Sequence, residues 1–143
     1  NFVSERKLPV EFMSVSNPDE MAAVYRSHHA LLFPSEWPEP FGMTWAEAMA
    51  SGLPVICTKI GGSTELLRDR ENALTYSPGS AEELAGCILE LEKSPALRAR
   101  IAAAGYEEIR SRLDSNNIVR QIESYLLETV KTWNLIHTTH SSS

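Results

Sequence analysis

Glu39 and Glu47 stand eight residues apart at the two ends of the run Glu39-Pro40-Phe41-Gly42-Met43-Thr44-Trp45-Ala46-Glu47. Pro40 stiffens the entry and Gly42 removes the side chain where a backbone must be approached closely. A helix beginning there can aim bare N–H groups at an anion. Residue types and spacing together describe a phosphate site flanked by two carboxylates. Ala48-Met49-Ala50-Ser51-Gly52 then leads into the apolar run Leu53-Pro54-Val55-Ile56-Cys57, so the site is a loop and helix followed by a strand.

Along that helix Met43, Trp45, Ala46, Ala48, Met49 and Ala50 are apolar, which gives it a buried look, while Thr44, Glu47 and Ser51 fall on one stripe. Glu47 has two readings. It faces water, because carboxylates avoid burial without a partner, or it faces a ligand. Glu39 sits on the loop leaving the predicted strand 30–33, at the carboxyl edge where open α/β sheets bind ligands. Glu36 shares that loop but lacks the spacing to Glu47 and is assigned to solvent. Trp37 and Phe41 either stack on a base or sugar or, as aromatics beside proline, anchor the loop to the domain. Thr44 adds a hydroxyl at the first helical turn.

Gly61-Gly62-Ser63-Thr64-Glu65 follows the strand 54–58 and opens a short helix. It reads as a strand-to-helix turn capped by Ser63 or Thr64, or as a second anion nest. Lys59 and Arg68 read as solvated cations. His28 and His29 end a helix, where positive charge suits the dipole, and neither reads as a catalytic base.

Four apolar runs, at 9–13, 30–33, 54–58 and 73–76, alternate with helical patterns. Such alternation predicts βαβ units, hence an α/β fold with a parallel, Rossmann-like sheet and flanking helices. Asn17-Pro18-Asp19-Glu20 combines a cap, a proline suited to the first position and two acids at the positive end of a dipole, predicting a helix to about Ser27. Ser80-Ala81-Glu82-Glu83 reads as a capping box before the stripe Leu84, Ile88 and Leu91. Ser94-Pro95 opens the next helix, through Leu97, Ile101 and Ile109. From Ser115 the residues Ile118, Ile122, Tyr125, Leu126, Val130 and Trp133 predict a long amphipathic helix whose apolar face needs a partner. One domain is expected over 1–134, with a disordered tail over 135–143.

The 143 residues, 43% hydrophobic and 22% charged, suit one globular domain and exclude disordered and fibrous classes. A net charge of -6 without a block of Lys or Arg argues against nucleic acid and against a polybasic membrane surface. Cys57 and Cys87 have no metal-ligand spacing and read as small apolar residues in a reducing compartment. No run has the length of a transmembrane helix. The first residue is Asn rather than Met, which suggests a truncated beginning.

Residues 34–65, from Pro34-Ser35-Glu36-Trp37-Pro38-Glu39-Pro40-Phe41-Gly42 through Glu47-Ala48-Met49-Ala50-Ser51-Gly52-Leu53-Pro54-Val55-Ile56 to Gly61-Gly62-Ser63-Thr64-Glu65, strongly resemble the retaining glycosyltransferases of family four. These enzymes have the GT-B fold and a Glu-x7-Glu signature. The resemblance implies that Glu39 contacts the transferred sugar and is the catalytic residue. It implies that the backbone of Phe41, Gly42 and Met43, with the Thr44 hydroxyl, meets sugar hydroxyls and diphosphate, and that Glu47 accepts hydrogen bonds from the ribose. The expected activity is transfer of a hexosyl unit from a UDP-sugar or GDP-sugar to a sugar or lipid-linked acceptor, with retention, no cofactor and no essential metal. The location implied is cytoplasmic, or peripheral to a membrane in the full-length enzyme.

In that family the carboxyl-terminal domain has strand order 3-2-1-4-5-6, and this chain begins at what looks like strand 3. It is therefore expected to be the second part of that domain, inactive alone, with the acceptor domain and the Arg and Lys that meet the diphosphate elsewhere. The strands at 30–33, 55–58 and 73–76 are then neighbours, and the strand at 10–13 is an orphan. Two departures from the family appear. Ser14 replaces a usual Gly, which counts against base contact through the Val15 backbone, and Asn72-Ala73 replaces a common Asn-Gly turn. Two rival functions are a non-catalytic module binding a sugar nucleotide or partner chain and a GT-B-type nucleotide-sugar epimerase.

Overall fold

The computed structural model describes residues 2–15 and 17–138. A single turn, α1 (Phe2–Glu5), precedes the helix predicted from its cap. That helix, α2 (Pro18–Ser27), has the Asn17 side chain accepting from the Glu20 amide at 2.9 Å, with Pro18 at its first position. Three strands follow, β1 (Leu31–Phe33), β2 (Val55–Thr58) and β3 (Leu74–Tyr76). They pair in parallel in the order β1-β2-β3, with Leu32 opposite Ile56 and Cys57 opposite Thr75. The three strands expected to be neighbours are neighbours.

Helix α3 (Met43–Ala50) connects β1 to β2, and a 3₁₀ turn at Gly61–Glu65 leads toward β3. The chain closes with α4 (Ala81–Lys93), α5 (Pro95–Arg112) and α6 (Ser115–Thr138). Every residue of β2 is buried, as a central parallel strand covered on both faces must be. Side-chain alternation along β2 divides the core in two. Val55 and Cys57 join Trp45, Met49, Leu67 and Ile109 on one side. Ile56 joins Leu74, Tyr76, Leu91 and Ile101 on the other.

Three expectations are corrected. Residues 9–13 form no strand: they meet no neighbouring strand among the described residues, and Val10, Phe12 and Met13 are 50%, 76% and 56% exposed. A strand exists only where its amides and carbonyls find a partner ladder, and the apolar run alone supplies none. The capping box before α4 is not reciprocal. Ser80 Oγ accepts from the Glu83 amide, but Glu83 Oε2 accepts from the Ser77 amide instead of reaching back to Ser80. The apolar stripe of α6 is left uncovered by the other described residues, in keeping with a face that needs a partner: Tyr125 and Leu126 are 70% and 61% exposed. Helix α6 also continues through 135–138, where a disordered tail was expected. The remaining tail, 139–143, lies outside the described residues. Among the described residues no helix is long and apolar enough to cross a membrane.

Candidate active site

The site grows from the loop between β1 and α3. Gly42 is the residue before α3 and has φ of +82°, a left-handed conformation that glycine adopts without the steric cost other residues bear. Space demands glycine there as well: a Cβ would stand 2.6 Å from Trp45 Nε1 and 3.3 Å from Glu39 Oε2. Trp45 is fully buried, and its indole N–H donates to the Phe41 carbonyl at 2.8 Å. The Phe41 and Trp45 rings lie 5.0 Å apart. Phe41 is therefore the loop anchor of the two readings available for it. Trp37 is not an anchor, being 72% exposed.

No side chain caps α3, and Met43 and Thr44 are exposed, so the helix start opens to solvent with its amides unclaimed by a cap. Met43 corrects the picture of an apolar helix buried from its first residue. It is 63% exposed because the first turn projects past the sheet edge. Glu39 lies half-buried beside this helix start. The Ser35 hydroxyl donates to Glu39 Oε1 at 3.2 Å, and the Ser35 carbonyl accepts from the buried Thr58 hydroxyl of β2. Glu39 is thus tied to the central strand through two side chains that spacing did not single out. The Pro34-Ser35 pair, a turn composition with Ser four residues before the acid, was the available signal. Glu36 is exposed, as assigned.

Gly61 and Gly62 do not form an open anion nest. The Gly62 amide donates to the Glu39 carbonyl at 2.9 Å, so this backbone donor is already used. A Cβ on Gly61 would lie 2.9 Å from the Glu39 nitrogen, and Gly61 has φ of +64°. The glycines exist so that two loops can touch through bare backbone. Ser63 closes the turn in both directions, accepting from the Ile60 amide at 3.1 Å and donating to the Ile60 carbonyl at 2.8 Å.

Glu47 sits four residues into α3, about 6 Å along its axis at 1.5 Å per residue. The Thr44, Glu47 and Ser51 stripe is the outward one, since Trp45, Ala46, Ala48 and Met49 are buried. Glu47 is exposed, yet it is not a bare surface acid. The buried Tyr25 on α2 donates its phenolic hydrogen to Glu47 Oε2 at 3.2 Å. Both residues line a cleft of about 500 Å³ with Val15, Met21 and Ser51. The cleft lies beside Glu47 and not beside Glu39, so the two carboxylates serve separate parts of the surface around α3. Val15 lines it despite the Ser14 departure.

Arg68 is not merely solvated, as its exposed setting implied. It donates from Nε to Glu71 at 2.9 Å and from Nη2 to Glu108 at 2.5 Å, pinning the segment after the 3₁₀ turn to α5. His28 Nδ1 lies 2.6 Å from the Val24 carbonyl at the end of α2, a structural role. Cys57 is buried in β2, and burial pushes its thiol up to about 12, so it is an inert core residue.

The sequence profile of the glycosyl transferases group 1 family matches residues 5–108. The chain belongs to this glycosyltransferase family. Its resemblance to the family-four type and its GT-B fold follow the same way. Phosphatidyl-myo-inositol mannosyltransferase of Mycobacterium leprae is 32% identical over 123 residues, 86% of this chain and 32% of that protein. D-inositol 3-phosphate glycosyltransferase of Rhodococcus opacus is 31% identical over 121 residues, 85% of this chain and 27% of that protein. The chain therefore spans about a third or less of the curated relatives it matches. Among solved structures, Anabaena HepE in complex with UDP-glucose superposes with a TM-score of 0.80 at 28% identity, over 88% of this chain and 35% of that one. Sucrose-phosphate synthase of Thermosynechococcus elongatus superposes with a TM-score of 0.82 at 27% identity, over 92% and 33% respectively.

Proposed function

We propose that this glycosyltransferase-family chain forms part of the donor site of an enzyme that transfers a hexosyl unit from an NDP-sugar to an acceptor with retention of configuration. The observation that carries the reading is the arrangement around α3: an uncapped, solvent-open helix start with Glu39 beside it, and Glu47 on the cleft farther along. Diphosphate at the helix start meets amide hydrogens and the positive end of the dipole. Those fixed dipoles stabilise the charge that develops on a departing nucleoside diphosphate without reorganising. Glu39, held by Ser35, orients the sugar. Glu47 accepts from the ribose hydroxyls, as acids do in dinucleotide folds. The solved relative HepE, bound to UDP-glucose, supports a UDP-sugar over a GDP-sugar donor. The reading assigns no step to a metal or cofactor.

Titration of UDP and GDP into the chain by calorimetry tests it. Glu47→Ala is expected to weaken the preferred nucleotide about tenfold or more, the scale of a hydrogen bond to a charged group. Helicity by circular dichroism is expected to hold, since alanine is the better helix former. Undiminished binding by Glu47→Ala would return Glu47 to a solvent role.

A further inference from the structure

The phenol of Tyr25 belongs to a helix that neither the Glu39 to Glu47 run nor its spacing touches. Tyr25 is 7% exposed, and its ring is part of the core cluster that includes Trp45, Ala48 and Leu53. That packing leaves the ring little freedom. Its hydroxyl nevertheless emerges at the cleft wall and donates to Glu47 Oε2 at 3.2 Å across the α2 to α3 interface. We propose that Tyr25 is a positioning residue for nucleotide recognition: its hydroxyl holds one oxygen of the Glu47 carboxylate so that the other is presented to the vicinal hydroxyls of a ribose. The inference rests on the donor-site reading above.

The physical reason is the mismatch between the two side chains. Glu47 is long and exposed, and free in solution it would sample many rotamers, each to be given up when a ligand binds. An ionised carboxylate is an acceptor only, with about four lone-pair sites on two oxygens. One bond to Oε2 uses a single site, fixes the rotamer before the ligand arrives and leaves Oε1 free for a diol. The donor's direction is dictated by chemistry, since Tyr25 must supply the hydrogen. Burial, then the bond to Glu47, raises the Tyr25 hydroxyl above the usual tyrosine value, so it remains a protonated donor throughout the neutral range.

Calorimetry with the full chain separates this proposal from the reading beneath it, using UDP, its 2′,3′-dideoxy analogue, and Tyr25→Phe, Glu47→Gln and double variants. The wild type is expected to prefer UDP to the dideoxy analogue by about tenfold or more. Tyr25→Phe keeps the buried ring and is expected to cut that preference about threefold or more while leaving affinity for the dideoxy analogue unchanged. Glu47→Gln abolishes the preference, and adding Tyr25→Phe to it changes nothing further. If Tyr25→Phe weakens both nucleotides equally, its role is structural and the proposal is overturned. If Glu47→Gln removes the preference and Tyr25→Phe retains it in full, the proposal fails and the donor-site reading stands. If the wild type binds no nucleotide, or Glu47→Gln keeps the wild-type preference, both fail together.

Discussion

Gly62 rests directly on the Pro40 carbonyl, so closely that a Cβ on Gly62 would overlap the Pro40 oxygen. The neighbouring hydrogen bond, Gly62 amide to Glu39 carbonyl at 2.9 Å, locks the same contact. The loop that carries Glu39 is thus seated on the backbone of the turn after β2. Site geometry and fold stability meet at this one glycine.

Replacing Gly62 by alanine is therefore expected to cost about 3 kcal/mol or more, because the atom that must give way is main chain rather than a flexible side-chain tip. Gly86, within α4, has open space around a would-be Cβ, and Gly86→Ala is expected to gain about 1 kcal/mol through helix propensity. Denaturant unfolding of both variants provides the comparison. Equal stabilities would mean that the loop does not sit on the turn as described.

Trp45 does two separable jobs, filling the core and holding the Phe41 carbonyl. Trp45→Phe retains most of the volume but leaves that half-buried carbonyl without its indole donor, an expected cost of about 1–3 kcal/mol. Trp45→Ala adds a cavity and is expected to cost about 3–5 kcal/mol. A Trp45→Phe unfolding midpoint equal to that of the wild type would show that the indole N–H contributes nothing to the loop.

Acid sensitivity is expected to trace to Glu108. Hydrogen bonds from Arg68, opposed in part by desolvation and helped by the charges of Arg68 and Arg112, hold its carboxyl below the usual carboxylate value. A carboxyl whose folded value is depressed contributes stability that is fully present above its unfolded value. That contribution is lost as pH falls through the depressed folded value. Thermal melts between pH 7 and pH 3 are expected to show a smaller acid loss for Glu108→Gln than for the wild type. Parallel curves would remove Glu108 from the account.

Much of this chain was legible from spacing alone. Asn17 capping a helix that ends at Ser27, the alternation that builds three parallel strands, and the outward stripe of Thr44, Glu47 and Ser51 are local patterns. Helical and strand periods assign each residue to a face before any tertiary contact forms. The Glu39 to Glu47 run likewise carries its resemblance within one stretch of chain. What covers a face, and what a side chain meets across a gap, is decided by non-local burial. Residues 9–13 have the composition of a strand and no ladder to join, and Trp37 has the composition of an anchor and faces solvent. Only the packing of α2 against α3 brings the Tyr25 hydroxyl to Glu47, 22 residues away, and only the meeting of two loops shows why Gly62 must lack a side chain. Periodicity is a property of neighbours along the chain, whereas these contacts depend on which buried surfaces find each other in space.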